Sequence, residues 1–183
     1  MPPHPKPAHL PEYAPMGYTT EFEGSVSISP PLNAHEIAYL RKFAASRRMG
    51  RARGPYFVDG SGPFGHGHDD DIRDFNKPPA GQPGLWCWWE PAKDGTAIKW
   101  NGVEKFYNAA EWMTYLIDMF LKPGTVLASE LANPVPGRHY PEELRHFTFD
   151  HELNGAIDAQ GEDDDNRWRL IVTGNTVTSI WAD

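Results

Sequence analysis

Two segments of this chain follow one pattern: Asn33-Ala34-His35-Glu36 and Asn108-Ala109-Ala110-Glu111. An Asn followed three residues later by Glu lets the Asn side chain accept from the third helical amide. The Glu carboxylate reaches back to the cap's own amide. The pattern predicts helices starting at Asn33 and Asn108. After Asn33, Ile37, Leu40 and Phe43-Ala44 recur at helical spacing, and the helix is expected to fade near Met49-Gly50. After Asn108, Trp112, Tyr115, Leu116, Met119 and Phe120 form a stripe that Met113 and Ile117 widen. So broad an apolar face predicts a helix buried against a sheet and stopped at Lys122-Pro123-Gly124.

Strand periodicity surrounds both helices. Tyr18 to Ser29 alternates, with Phe22, Val26 and Ile28 on one face, and Pro30-Pro31 ends the run. Gly84 to Trp89 is β-prone and apolar on both faces, which predicts a central strand. Pro91-Ala92-Lys93-Asp94-Gly95 is turn chemistry leading to a second strand, Thr96 to Trp100. Three more strands are expected at Leu153–Gln160, Trp168–Thr173 and Thr176–Trp181. The order β-α-β-β-α-β-β-β separates the helices too widely for a doubly wound sheet. The expected fold is α+β, an antiparallel sheet of about five to six strands with two helices packed on one face.

Residues 1–16 hold six prolines, at positions 2, 3, 5, 7, 11 and 15, and are expected to form a flexible or polyproline-like tail. Residues 17–183 are expected to form one α+β domain with long loops at 50–84 and 125–152, and a short helix at Pro141–Arg145. With 183 residues, 39% of them hydrophobic and 23% charged, the chain suffices for one core and is unlike a disordered one. A net charge of −8 works against indiscriminate contact with nucleic acid or anionic lipid. No apolar stretch is long enough for a membrane span, and the first residues lack a secretory layout. Cys87 is a lone cysteine, so nothing requires an oxidising compartment and a cytoplasmic setting is expected.

Three groups of residues invite a functional reading. Arg41, Lys42, Arg47, Arg48, Arg51 and Arg53 place six cations in thirteen residues with no acid among them. Arg47, Arg48, Arg51 and Arg53 are candidates for an anionic or acidic-partner surface, or else they serve a helix C-terminus and cover apolar surface with their stems. Trp86 and Trp88 share a strand face and are candidates for an interface or a pocket beneath the long loop. His66, His68, Asp69 and Asp71 offer nitrogen and oxygen ligands for a divalent metal, or else form a solvated loop. His139, His146 and His151 have no ligand spacing. The acidic run Glu162–Asp165 lacks the glycine and closing glutamate of a calcium loop and reads as a charged hairpin tip. There is no nucleophile elbow and no phosphate-cradling glycine loop.

Several stretches resemble an uncharacterised family of small proteins from actinobacteria and their bacteriophages. They are Met16–Gly24, Pro30–Met49, Asn76–Cys87 with Gly81-Gln82-Pro83-Gly84-Leu85, Glu104–Asn108 with Glu111-Trp112, and Leu153–Asp163. The resemblance implies one compact domain starting near Met16. That family has no assigned activity, so no catalytic residue carries over, and it suggests a host-interacting role. The chain departs from it at 125–152, where a shorter link is usual. The expectation is therefore a non-enzymatic protein that binds a protein partner, without a cofactor. The alternatives are a small metal-assisted hydrolase or nucleotide-processing enzyme using the His/Asp loop, and a structural subunit of a larger assembly.

Overall fold

The computed structural model describes residues 19–182. The tail expected over 1–16, the start at Met16-Gly17 and Tyr18 lie outside the described residues. The first alternating run forms β1 (Glu21–Ser29), which buries Phe22, Val26 and Ile28 and exposes Glu23, Ser25 and Ser27. Helix α1 (Ala34–Ala44) starts with both halves of the predicted capping box, each at 2.9 Å. It ends several residues before Met49. Ser46 Oγ folds back onto the Lys42 carbonyl at 2.7 Å, while the Arg47 and Arg48 amides turn away to the carbonyls of Phe64 and Leu85.

The excursion after α1 is tied across its middle by a two-stranded ribbon, β2 (Gly50–Arg51) with β3 (Ile72–Asp74). The hairpin that follows is present, β4 (Trp89–Pro91) with β5 (Ala97–Trp100), pairing Trp89 with Trp100 and Pro91 with Ile98. The strand expected over Gly84–Trp89 is not central, however: only Trp89 enters the ladder, and β4 is an edge. The carbonyls of Leu85 and Trp88 accept instead from the amides of Arg48 and Asn101, so the run covers the core rather than pairing within the sheet.

Helix α2 (Ala109–Leu116) continues through a π-helical turn, Ile117–Leu121, to the expected stop at Lys122. Its predicted capping box does not form. Asn108 lies in the left-handed region at φ 58°, and its amide donates to the Pro83 carbonyl at 2.9 Å, so the side chain anchors the preceding loop and leaves the helix uncapped by it. The link after α2 also contains α3 (Val126–Ala132), which the proline-punctuated sequence conceals; Thr125 caps it through the Ala128 amide at 3.1 Å. A 3-10 turn, Glu142–His146, stands where a short helix is expected.

Strands β6 (Glu152–Gln160), β7 (Arg167–Thr173) and β8 (Thr176–Trp181) complete a six-stranded sheet, order β4-β5-β1-β6-β7-β8, with every neighbouring pair antiparallel. The fold is α+β. Val26, Ile28, Ile98, Leu153, Ile157, Leu170 and Val172 of the sheet join Tyr39, Leu40 and Phe43 of α1 and Trp112, Met113 and Leu116 of α2 in one buried cluster. Ser25, Ser27, Lys99, Asp158 and Arg169 alternate with them on the exposed face. Each fully buried large side chain contributes roughly 1.5–3 kcal/mol to this one-sided core. No helix among the described residues is long and apolar enough to cross a membrane.

A buried ion pair joins α1 to the start of β6. His151 Nε2 lies 2.7 Å from Glu36 Oε2 and Nδ1 lies 2.7 Å from the Pro30 carbonyl, with both side chains 1% exposed. Thr148 Oγ1 at 3.2 Å and Asp150 Oδ1 at 3.7 Å complete the polar surroundings of Nε2. An acceptor on each ring nitrogen requires both to carry protons, which is the imidazolium form. Burial alone lowers the His151 pKa, but the bonds to Glu36 and Pro30 outweigh it and the net shift is upward from 6.5. A raised folded-state value stabilises the protein fully below that ordinary value and less as pH rises through the raised one. Wild-type stability is therefore expected to fall across that window. The His151→Gln variant should lose about 3–5 kcal/mol at the acid end and show a flatter profile, checked by urea unfolding over a pH series.

Candidate functional site

The structure disperses the basic run. Arg41 donates to the Pro91 carbonyl at 2.9 Å, and Lys42 pairs with Glu143 at 2.9 Å and Asp59 at 3.2 Å. Arg48 is only 3% exposed. Its guanidinium donates to the carbonyls of Pro55 (2.7 Å) and Phe57 (3.1 Å), to Ser46 Oγ (3.1 Å) and to Gln82 Oε1 (3.4 Å), with its carbon 4.2 Å above the Phe43 ring. Burial lowers its pKa. It is a clasp for the loop. Arg51 donates to Asp71 Oδ1 at 2.8 Å, Asp69 Oδ2 at 3.2 Å and the Gly65 carbonyl at 2.6 Å. Arg47 donates to the Phe75 carbonyl at 3.1 Å and lies 5.9 Å from the Trp86 ring. Arg53 is more exposed, over Phe57 at 4.8 Å and 4.0 Å from Asp71.

Two groups that the sequence suggests as separate sites thus meet each other. Asp69 and Asp71 face Arg51, and Ser61's hydroxyl and amide, then Arg51, hold the Asp69 carboxyl below its usual pKa. His66 and His68 are exposed and lie against Phe64 and Phe75. Among the described residues no three His, Cys, Asp or Glu side chains converge as a metal-binding group. Trp86 and Trp88 stack at 4.7 Å and 18°, and Phe64, 61% exposed with φ 57°, meets Trp86 edge-on at 5.7 Å. Trp86 therefore sits beneath the long loop. Cys87 is fully buried and its thiol is pushed up to about 12 by that burial.

A different set of side chains forms the open concavity. Pairing aligns Phe22 of β1, Ala159 of β6, Trp168 of β7 and Trp181 of β8 in one row on the inner face. Trp100 of β5 extends the row. Ring centroids step from Trp100 to Phe22 at 5.6 Å, to Trp168 at 5.9 Å and to Trp181 at 6.3 Å. A groove of about 820 Å³ opens at this end of the sheet, lined by the half-buried Trp100 and Trp181 and by Glu21, Glu23, Asp158, Arg167, Arg169 and Ile180 of the outer face, while Phe22 and Trp168 stay buried within the row. Arg169 pairs with Asp158 at 2.7 Å and Arg167 donates to Gln160. Sequence reading missed this site: the four rings come from four strands and only the register aligns them. The available signal was the placing of Trp100, Trp168 and Trp181 at strand ends.

Comparison with known protein families, curated proteins and solved structures finds no match to this chain. The arginines separate by role. Arg48→Ala is expected to cost about 2–4 kcal/mol in urea unfolding, because buried carbonyls lose charged donors. Arg53→Ala should stay within about 0.5 kcal/mol of wild type. Equal effects at the two positions would refute the clasp.

Proposed function

We propose that this chain is a non-enzymatic binding protein that holds an extended segment of a protein partner in the groove lined by Trp100, Trp181, Ile180 and the charged residues Glu21, Glu23, Asp158, Arg167 and Arg169. The observation that carries the reading is an open concavity in which the half-buried Trp100 and Trp181 meet exposed Ile180 and the charged Glu21, Glu23, Asp158, Arg167 and Arg169. Tryptophan faces supply large contact area at low entropic cost, and a polar rim around them is the composition of binding hot spots. The acid–base groups support the same reading. His151 and Glu36 are sealed from solvent, and Asp69 and Asp71 are committed to Arg51. That commitment weighs against the metal-assisted alternative. The resemblance to actinobacterial and phage proteins favours a host protein as partner, and the sealed Cys87 thiol suits a cytoplasmic setting.

A displayed peptide library selected on the full chain tests the reading. Enriched peptides are expected to lose about 2 kcal/mol of affinity, roughly thirtyfold, on Trp181→Ala and to be unaffected by Phe64→Ala. Circular dichroism should confirm that both variants are folded. A library that enriches nothing, or peptides indifferent to Trp181→Ala, would overturn the proposal.

A further inference from the structure

We infer that two copies of this chain pair through β8, edge to edge and antiparallel about a two-fold axis at Thr178, joining their six-stranded sheets into one continuous sheet. The two edges of the sheet are built differently. β4 is three residues long and contains Glu90 and Pro91, a short, charged, proline-bearing edge of the kind that resists pairing. β8 is six residues long, Thr176-Val177-Thr178-Ser179-Ile180-Trp181, with no charge, no proline and an unbroken register against β7. It is rich in β-branched residues, and Ile180 is 56% exposed. Among the described residues no strand lies on its far side. An edge of that length and composition is a template for another strand.

Register decides which groups the edge presents. The turn between β7 and β8, Gly174-Asn175, has φ of 52° and 69° and closes on the Thr173–Thr176 pair. At the far end of the hairpin the Ala182 amide donates to the Arg167 carbonyl at 2.9 Å. Thr176, Thr178 and Ile180 therefore turn their main-chain groups to β7, and Val177 and Ser179 turn theirs outward.

A second copy supplies the complement by symmetry. With the axis at Thr178, Val177 stands opposite Ser179 of the second copy and exchanges both main-chain hydrogen bonds with it. The axis repeats that exchange on its other side. On the exposed face Thr178 meets its own symmetry mate, and Thr176 meets Ile180 of the second copy. Such β-branched cross-strand pairs stabilise antiparallel sheets. No like charges are opposed along the strand, which matters when a chain of net charge −8 meets itself. Neither Val177 nor Ser179 lines the groove, and the pairing does not depend on a peptide binding there. One such strand pair spans about 20 Å, the size of a weak, concentration-dependent interface.

Sedimentation velocity on the full chain, from about 5 to 500 µM, should show a monomer–dimer equilibrium with a midpoint of roughly 10–100 µM. Thr178→Lys sets two cations face to face on the axis and should leave a monomer over the same range. Thr173→Lys, one strand inward on the same face, should keep the wild-type midpoint. Circular dichroism should show both variants folded. Thr178→Cys should form a disulfide-linked dimer under a mild oxidant, because opposed residues at a non-hydrogen-bonded site stand roughly 4.5–5.5 Å apart. Thr176→Cys should not, since it lies roughly 14 Å from its own counterpart. A wild type that stays monomeric throughout would overturn the inference, as would a dimer that Thr178→Lys leaves intact or equal cross-linking at the two cysteines. A monomer whose Val177 and Ser179 amides resist hydrogen exchange would show the edge covered from within the same chain, and would overturn it too.

Discussion

The covering of one sheet face only is the constraint from which the other features follow. With α1 and α2 against the same side, each central strand must alternate; β7 does so throughout, and β1 and β6 do so except at Gly24 and Gly155. A one-residue slip of register would move Val26, Ile157 and Leu170 out of the core together. The helices must also be fixed in position, and the Glu36–His151 pair does this at the N-terminal end of α1. The carboxylate that reaches back to the Asn33 amide also accepts from His151, so the capping box and the tertiary clasp share one side chain.

The same economy governs the long loop. Its backbone runs over the end of α1 with few regular hydrogen bonds of its own, so its carbonyls need donors from elsewhere. Arg48 serves Pro55 and Phe57, and Arg51 serves Gly65 while pairing with Asp69 and Asp71. Cations that look like a surface in sequence therefore act as internal fasteners. The acids that balance them lie some twenty residues further along the chain, in the very loop that the arginines hold.

The aromatic groove is the complement of that arrangement. The ends of the aromatic row, Trp100 and Trp181, are half-buried and reach the groove at one end of the sheet, while its charges, Glu23, Asp158 and Arg169 among them, come from the opposite, exposed face.

Local chemistry alone specified much of this protein. Strand alternation, the Asn33–Glu36 box, the Pro91–Gly95 turn and the stripe of the second helix are short-range patterns, and each yields its element. The second capping motif misled because Asn108 takes a left-handed backbone that turns its side chain to the loop, where its amide N–H donates to the Pro83 carbonyl, a contact only tertiary proximity supplies. Gly84–Cys87 misled because β-propensity says nothing about which backbone partner is nearest. The site was less legible still. That Arg51 would meet Asp69 and Asp71, and that four rings would line up across four strands, depends on loop path and strand register. Those are long-range contacts with no imprint on neighbouring residues, so tertiary structure alone decided them.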